Sequence, residues 1–119
     1  MSKVKCIILE DDPLFIKVLE AYVDEIDFID LVGSFQDPVQ GAVAIAKHKP
    51  DLLLLDIEMP YLDGLETLET INTRPRIIVI SSRLDLVDNT DEDIDMFINK
   101  RDLQSPEQLR EAIKQVMSM

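Results

Sequence analysis

Two spacings of apolar residues take turns along the chain. Lys3 to Leu9 reads as a strand buried on both faces. Pro13 to Asp24 follows with Leu14, Phe15, Val18, Leu19, Tyr22 and Val23 at helical spacing. Phe28 to Phe35 predicts a second strand. Pro38 to His48 predicts a second helix, with Val39, Ala42, Val43 and Ala46 on one face. Asp51 to Asp56 predicts the third strand, and Leu65 to Ile71 a helix after the turn Pro60-Tyr61-Leu62-Asp63-Gly64. Arg76 to Ser81 and Met96 to Asn99 predict strands four and five. Pro106 to Met117 predicts the last helix, with Leu109, Ile113, Val116 and Met117 inward.

Three helix starts use the same device. Asp12-Pro13, Asp37-Pro38 and Ser105-Pro106 each set an oxygen-bearing cap before a proline. The cap oxygen accepts from orphan backbone N–H groups, and proline has no N–H to leave orphaned. Gln40 and Gln108 lie three residues after their caps and predict capping boxes. Between Leu84 and Asp95 the pattern is weak and crowded with acids. A short fourth helix capped at Thr90 and an irregular loop both fit it.

Alternating strands and helices predict a parallel sheet joined by right-handed crossovers, with helices on both faces. The expected architecture is a flavodoxin-like, doubly wound, five-stranded α/β fold of order 2-1-3-4-5 spanning residues 1–119 as one domain. Its fourth helix is short or irregular.

Charge narrows the partners. Twelve Lys and Arg stand against 24 Asp and Glu, a formal net charge of −12. Such a surface repels phosphate backbones and anionic lipid, so direct nucleic-acid binding and membrane binding are not expected. The longest near-continuous apolar run, Leu52 to Leu55, is far too short to cross a bilayer. Met1 to Cys6 lacks the apolar stretch and cleavage site of a secretory signal. The single cysteine, Cys6, sits among apolar residues and reads as a small buried hydrophobe. A cytoplasmic protein is expected.

The informative residues fall at the strand ends. Strand one ends at Glu10-Asp11-Asp12, strand three at Asp56, strand four at Ser81-Ser82 and strand five at Lys100. In a parallel sheet these ends share one edge, where ligands bind at the switch point between strands one and three. Packed carboxylates raise one another's pKa, and a hard divalent cation relieves them. Mg²⁺ suits two carboxylates and a carbonyl, with water or phosphoryl oxygen completing its shell. Metal, ammonium and hydroxyl around one carboxylate make a phosphoryl-transfer site. Taken singly, each residue has a plainer reading. The acids at Glu10 to Asp12 are solvated helix caps, Ser81 a bonded strand end, Lys100 a surface lysine and Phe97 core. His48 stands alone on a polar helix end, and no His or Cys cluster points to zinc.

The segment Leu53-Leu54-Leu55-Asp56-Ile57-Glu58-Met59-Pro60-Tyr61-Leu62-Asp63-Gly64 resembles the phosphoacceptor segment of response regulator receiver domains, the CheY-like superfamily. Ile7-Ile8-Leu9-Glu10-Asp11-Asp12-Pro13-Leu14 resembles that family's acidic-pair segment. The resemblance covers essentially the whole chain. It implies that Asp56 accepts a phosphoryl group from a sensor histidine kinase in a Mg²⁺-dependent, self-catalysed reaction. It further implies that Asp11 binds the ion directly, Glu10 through water, and the Glu58 backbone carbonyl as another ligand. Asp12 becomes the helix cap, Lys100 the lysine that assists Asp56, and Ser81 and Phe97 the switch residues. A homodimer or a downstream output domain is the implied partner, and the Glu58-containing segment resembles regulators with a LytTR-type output domain.

The chain departs from the family at two places. Arg101 follows Lys100 where the family usually has a proline after a cis peptide, so a trans bond is expected. Asp93-Ile94-Asp95 replaces the usual Gly-Ala step before strand five. Other classes fit less well. A degenerate receiver acting as a phosphorylation-independent protein-binding module would not need the full acidic site. An aspartate-nucleophile phosphatase of the haloacid-dehalogenase type resembles D-x-D-x-[TV], which Asp56-Ile57-Glu58-Met59 lacks. A flavodoxin would need donors where the first strand leads into acids.

Overall fold

A computed structural model describes residues 3–56, 75–83 and 94–119. The elements are β1 (Val4–Leu9), α1 (Pro13–Asp24), β2 (Ile29–Phe35), α2 (Pro38–His48), β3 (Leu52–Leu55), β4 (Arg76–Ser81), β5 (Met96–Asn99), a 3₁₀ turn (Lys100–Asp102) and α3 (Pro106–Val116). The strands form one parallel sheet of order β2-β1-β3-β4-β5, as expected from the alternation. The expected helix at Leu65 to Ile71 and the open alternatives around Thr90 lie outside the described residues.

Two cores flank the sheet, and strand alternation divides the residues between them. Cys6, Ile8, Leu52, Leu54, Ile78 and Ile80 pack under α1 and α3. Ile7, Leu9, Leu53, Leu55, Ile77 and Val79 face α2 and Ile94. A central strand covered on both sides needs an apolar residue at every position, which is why β3 is four leucines. The edge strands β2 and β5 are mostly half-buried. The β1–β2 register shifts between Cys6 and Ile7, opposite Leu31 and Gly33, so Val32 is an extra residue that bulges β2.

Asp51 and Asp95 are matched staples at the starts of β3 and β5. The Asp51 N–H donates to the Lys5 carbonyl, and its Oδ2 accepts from the Lys5 N–H at 2.9 Å. The Asp95 N–H donates to the Ile77 carbonyl, and its Oδ2 accepts from the Ile77 N–H at 2.8 Å. Its Oδ1 meets the Arg76 guanidinium at 3.2 Å. Ile94 therefore joins the α2-side core, and Asp95 docks β5 onto β4.

Asp12, Asp37 and Ser105 cap their helices as expected, each before its proline. Only Ser105 forms a full box, with the Gln108 side chain accepting from the Ser105 N–H. Asp37 instead accepts from Val39, one residue earlier than the box requires, and the reciprocal bond expected of Gln40 is missing among the described residues.

The buried face of α2 is not the one that carries Val39 and Val43. Pro38, Gly41, Ala44 and Ile45 face the sheet, whereas Val39 and Val43 are 62% and 63% exposed. Gly41 decides the rotation. A Cβ there would collide with Leu9 Cδ1 and lie 3.3 Å from Leu9 Cγ, so the absence of a side chain lets α2 approach β1. On α1, likewise, the helix buries Ile16, Leu19 and Val23 and leaves Leu14 exposed.

Gly41→Ala tests the buried face. Alanine gains about 1 kcal/mol of helix propensity. Overpacking against the fully buried Leu9 costs about 1–3 kcal/mol, so net destabilisation is expected in urea unfolding. Val43→Glu should stay within about 0.5 kcal/mol of wild type. The reverse ranking would make the Val39–Val43 face the inner one.

Candidate functional site

Backbone pairing continues one residue beyond β1 and β3 and sets the site. The Glu10 N–H donates to the Phe35 carbonyl at 3.0 Å, and the Asp56 N–H donates to the Leu9 carbonyl at 2.9 Å. Two acids thereby project from neighbouring strand ends at the switch point between β1 and β3. Glu10 is 1% and Asp56 3% exposed. The next residues turn outward. The Asp12 N–H donates to Glu10 Oε2 at 3.1 Å, and Asp12 Oδ1 accepts from the Leu14 N–H at 3.0 Å. Asp12 is thus occupied as the α1 cap, while Asp11 remains with the crevice.

One carboxylate oxygen from each of Glu10, Asp11 and Asp56 lies within 4.8 Å of the other two. Lys100 reaches the same point from the end of β5. Its Nζ lies 2.6 Å from Glu10 Oε1 and 3.1 Å from Asp56 Oδ2. The Glu10 contact is an ion pair without hydrogen-bond geometry, so Glu10 Oε1 is buried without a hydrogen bond. Arg101 does not spoil this reach. Asn99 Oδ1 accepts from the Arg101 N–H at 3.1 Å and winds Lys100–Asp102 into its 3₁₀ turn. No cis peptide occurs among the described residues, which agrees with the expectation for Lys100-Arg101.

Burial pushes the Glu10 carboxyl up from 4.5 to about 8; the neighbouring Asp56 adds to the rise, and Lys100 and the Asp12 N–H oppose it. Burial alone would lower the Lys100 ammonium, but Glu10 and Asp56 outweigh it and hold the group above its ordinary value. Three acids around one ammonium leave excess negative charge, and a divalent cation would neutralise it. The oxygen-only donor set of Glu10, Asp11 and Asp56 fits such an ion.

Ser81 is fully buried at the end of β4, and its Oγ accepts from the Arg83 N–H at 3.1 Å. Phe97 pairs with Val79 on β5 and packs half-buried on the α2-side core. Ile77 and Val79 face that side, so alternation turns Ser81 to the same face as Phe97. Glu58 lies outside the described residues. His48 is exposed and Cys6 fully buried, as expected; burial pushes the Cys6 thiol up to about 12.

Sequence reading missed Phe15. It counted there as part of an apolar stripe, yet its ring centroid lies 4.6 Å from Lys100 Nζ. The available signal was its place in the first helical turn after the acids. Asn99 was also missed, since its capping role exists only once the turn is known.

A parallel five-stranded sheet with an acid pair after the first strand, a buried acid at the third strand end and a lysine at the fifth defines the class. Residues 6–114 match the response regulator receiver domain family, and the chain belongs to that family. It is 35% identical over 85 residues to a protein-glutamate methylesterase/protein-glutamine glutaminase of Nitrosomonas europaea, covering 71% of this chain and 24% of that protein. It is 35% identical over 81 residues to the transcriptional regulatory protein BtsR of Escherichia coli, covering 66% of this chain and 34% of that one. The chain thus spans about a quarter to a third of the curated relatives it matches. The response regulator domain of Thermotoga maritima CheB superposes with a TM-score of 0.83 at 24% identity, covering 98% of both chains. The chain is accordingly a receiver of the two-component type. No helix among the described residues is long and apolar enough to cross a membrane.

The Glu10 shift carries a pH prediction. Between 4.5 and about 8 the folded protein binds the Glu10 proton more tightly than the unfolded chain. Stability then falls as pH rises through that window and stops falling above it. The raised Lys100 contributes stability that is fully present below its ordinary 10.5 and is lost only at higher pH, outside this window. With divalent cations chelated, the urea midpoint of wild type should drop across the window more than that of Glu10→Gln. Parallel pH profiles for the two proteins would contradict the shift.

Proposed function

We propose that this chain accepts a phosphoryl group on Asp56 from a sensor histidine kinase and changes conformation in response. The observation that carries the reading is Lys100 Nζ at 3.1 Å from Asp56 Oδ2, in a crevice shared with Glu10 and Asp11. An Asp56 carboxylate oxygen attacks phosphorus, the bond from phosphorus to the donor breaks, and the donor leaves with the electron pair. An acyl phosphate results. Mg²⁺, when bound, offsets the charge on the phosphoryl oxygens. Glu10, Asp11, Asp56 and the Glu58 backbone carbonyl would hold it. Lys100 keeps a positive charge beside the acceptor, and the buried Ser81 hydroxyl is the donor that meets the new phosphoryl group. Phe97, on the same face as Ser81, is the side chain that follows its movement.

The reaction takes up one phosphoryl group per chain, so the chain acts as a self-catalysed phosphoacceptor rather than a turnover enzyme. Output passes to a further domain, as the coverage of its longer relatives supports, or to a second copy. With a net charge of −12, direct nucleic-acid binding is not part of this role. The cytoplasm, where kinase and nucleotide meet, is the proposed location.

Acetyl phosphate with Mg²⁺ should add one phosphoryl group to wild type and none to Asp56→Asn, read by intact mass. Equal incorporation in both would remove Asp56 from its role. Mg²⁺ titration should separate the neighbouring acids. Asp11→Ala should lose binding, whereas Asp12→Ala should retain it and lose about 0.5–2 kcal/mol of stability through the cap. Loss of binding only in Asp12→Ala would shift the acidic pair by one residue.

A further inference from the structure

Lys100 is held on three sides, and only two of the contacts are carboxylates. Glu10 Oε1 and Asp56 Oδ2 meet its ammonium at 2.6 and 3.1 Å. The third contact is the Phe15 ring, with its centroid 4.6 Å from Nζ. A cation over an aromatic face is attracted by the ring quadrupole, and more strongly as water is excluded. The Lys100 side chain is only 18% exposed. The two partners differ in stiffness. Phe15 sits in the first turn of α1, fixed by the Asp12 cap and Pro13, and packs against the α1–α3 core. Lys100 has a flexible four-carbon stem.

We propose that Phe15 is a positioning residue that aims the Lys100 ammonium at Asp56. The inference rests on the reading of Asp56 as phosphoacceptor. Asp56 turns from a carboxylate paired with Lys100 into an acyl phosphate, and Glu10 belongs to the metal-binding acids, so both carboxylate contacts are altered as the reaction proceeds. The ring is neutral, takes no ion and undergoes no chemistry. Its pull on the ammonium is therefore the contact that persists while the carboxylates are re-engaged.

The experiment uses the full chain, with acetyl phosphate and saturating Mg²⁺. Phe15→Leu should slow phosphorylation of Asp56 by about fivefold, the factor expected for about 1 kcal/mol of cation–π attraction. Its Mg²⁺ affinity should be unchanged, because Phe15 offers no ligand. Phe15→Trp should restore the rate. Site-specific trifluorophenylalanine at position 15 keeps the ring shape and drains its quadrupole, so it should give an intermediate rate. A slow Leu variant beside a fully active fluorinated one would overturn the proposal, since shape alone would then act. Equal rates in all variants would overturn it while leaving Asp56 as phosphoacceptor. NMR gives a readout that needs no phosphorylation. Ring current should move the Lys100 Cε protons upfield in wild type and not in Phe15→Leu. Absence of that shift in wild type would also overturn the proposal. A wild-type chain that shows the shift yet takes no phosphate would support the contact and overturn the phosphoacceptor reading.

Discussion

Two buried carboxylates side by side are the constraint around which the rest of this structure is arranged. Glu10 and Asp56 are almost wholly removed from water, and removing an ion from water costs several kcal/mol even after relaxation. Lys100 offsets part of that cost from the far edge of the sheet, across β4. The offset requires β5 to be docked in register, which Asp95 secures at one end and the Asn99-capped turn at the other. Sheet order, strand register and site electrostatics are thus one problem with a shared solution. The unbalanced negative charge that remains is what makes the crevice receptive to a cation.

The sheet and its connections were legible because their physics is local. Four consecutive leucines before an acid mark a strand covered on both faces, and Asp-Pro or Ser-Pro before an apolar period marks a helix start. The described strands and helices begin and end within a residue or two of expectation. The crevice was legible for a topological reason, since parallel strands put their ends on one edge. Asp56, Glu10 and Lys100 meet as that argument requires.

What was not legible depended on rotation and on partners distant in sequence. On α2, Val39, Ala42, Val43 and Ala46 form as good a stripe as the true one, and hydrophobicity favours the valines. The approach of Gly41 to Leu9 outweighs that preference, and no local pattern encodes it. Asp95 looked like surplus acidity because its partners, Arg76 and the Ile77 N–H, lie on another strand. Phe15 looked like core because a ring beside a lysine 85 positions later leaves no trace in spacing. Gln40 matched a box motif, yet the Asp37 carboxylate bonds at Val39 instead.

The bulge at Val32 has a consequence outside the active crevice. A sheet with so apolar a centre is a hazard wherever its border offers a long, flat row of free N–H and C=O groups, since another chain can add a strand there. Here neither border is such a template. On one side the extra residue in β2 breaks the even spacing, and Asp30 places an exposed charge beside the break. On the other side β5 is only four residues long before its chain curls into the 3₁₀ turn. The irregularities at the two margins thus work against fibrous self-assembly and leave the ordered interior free to be as oily as its leucines make it.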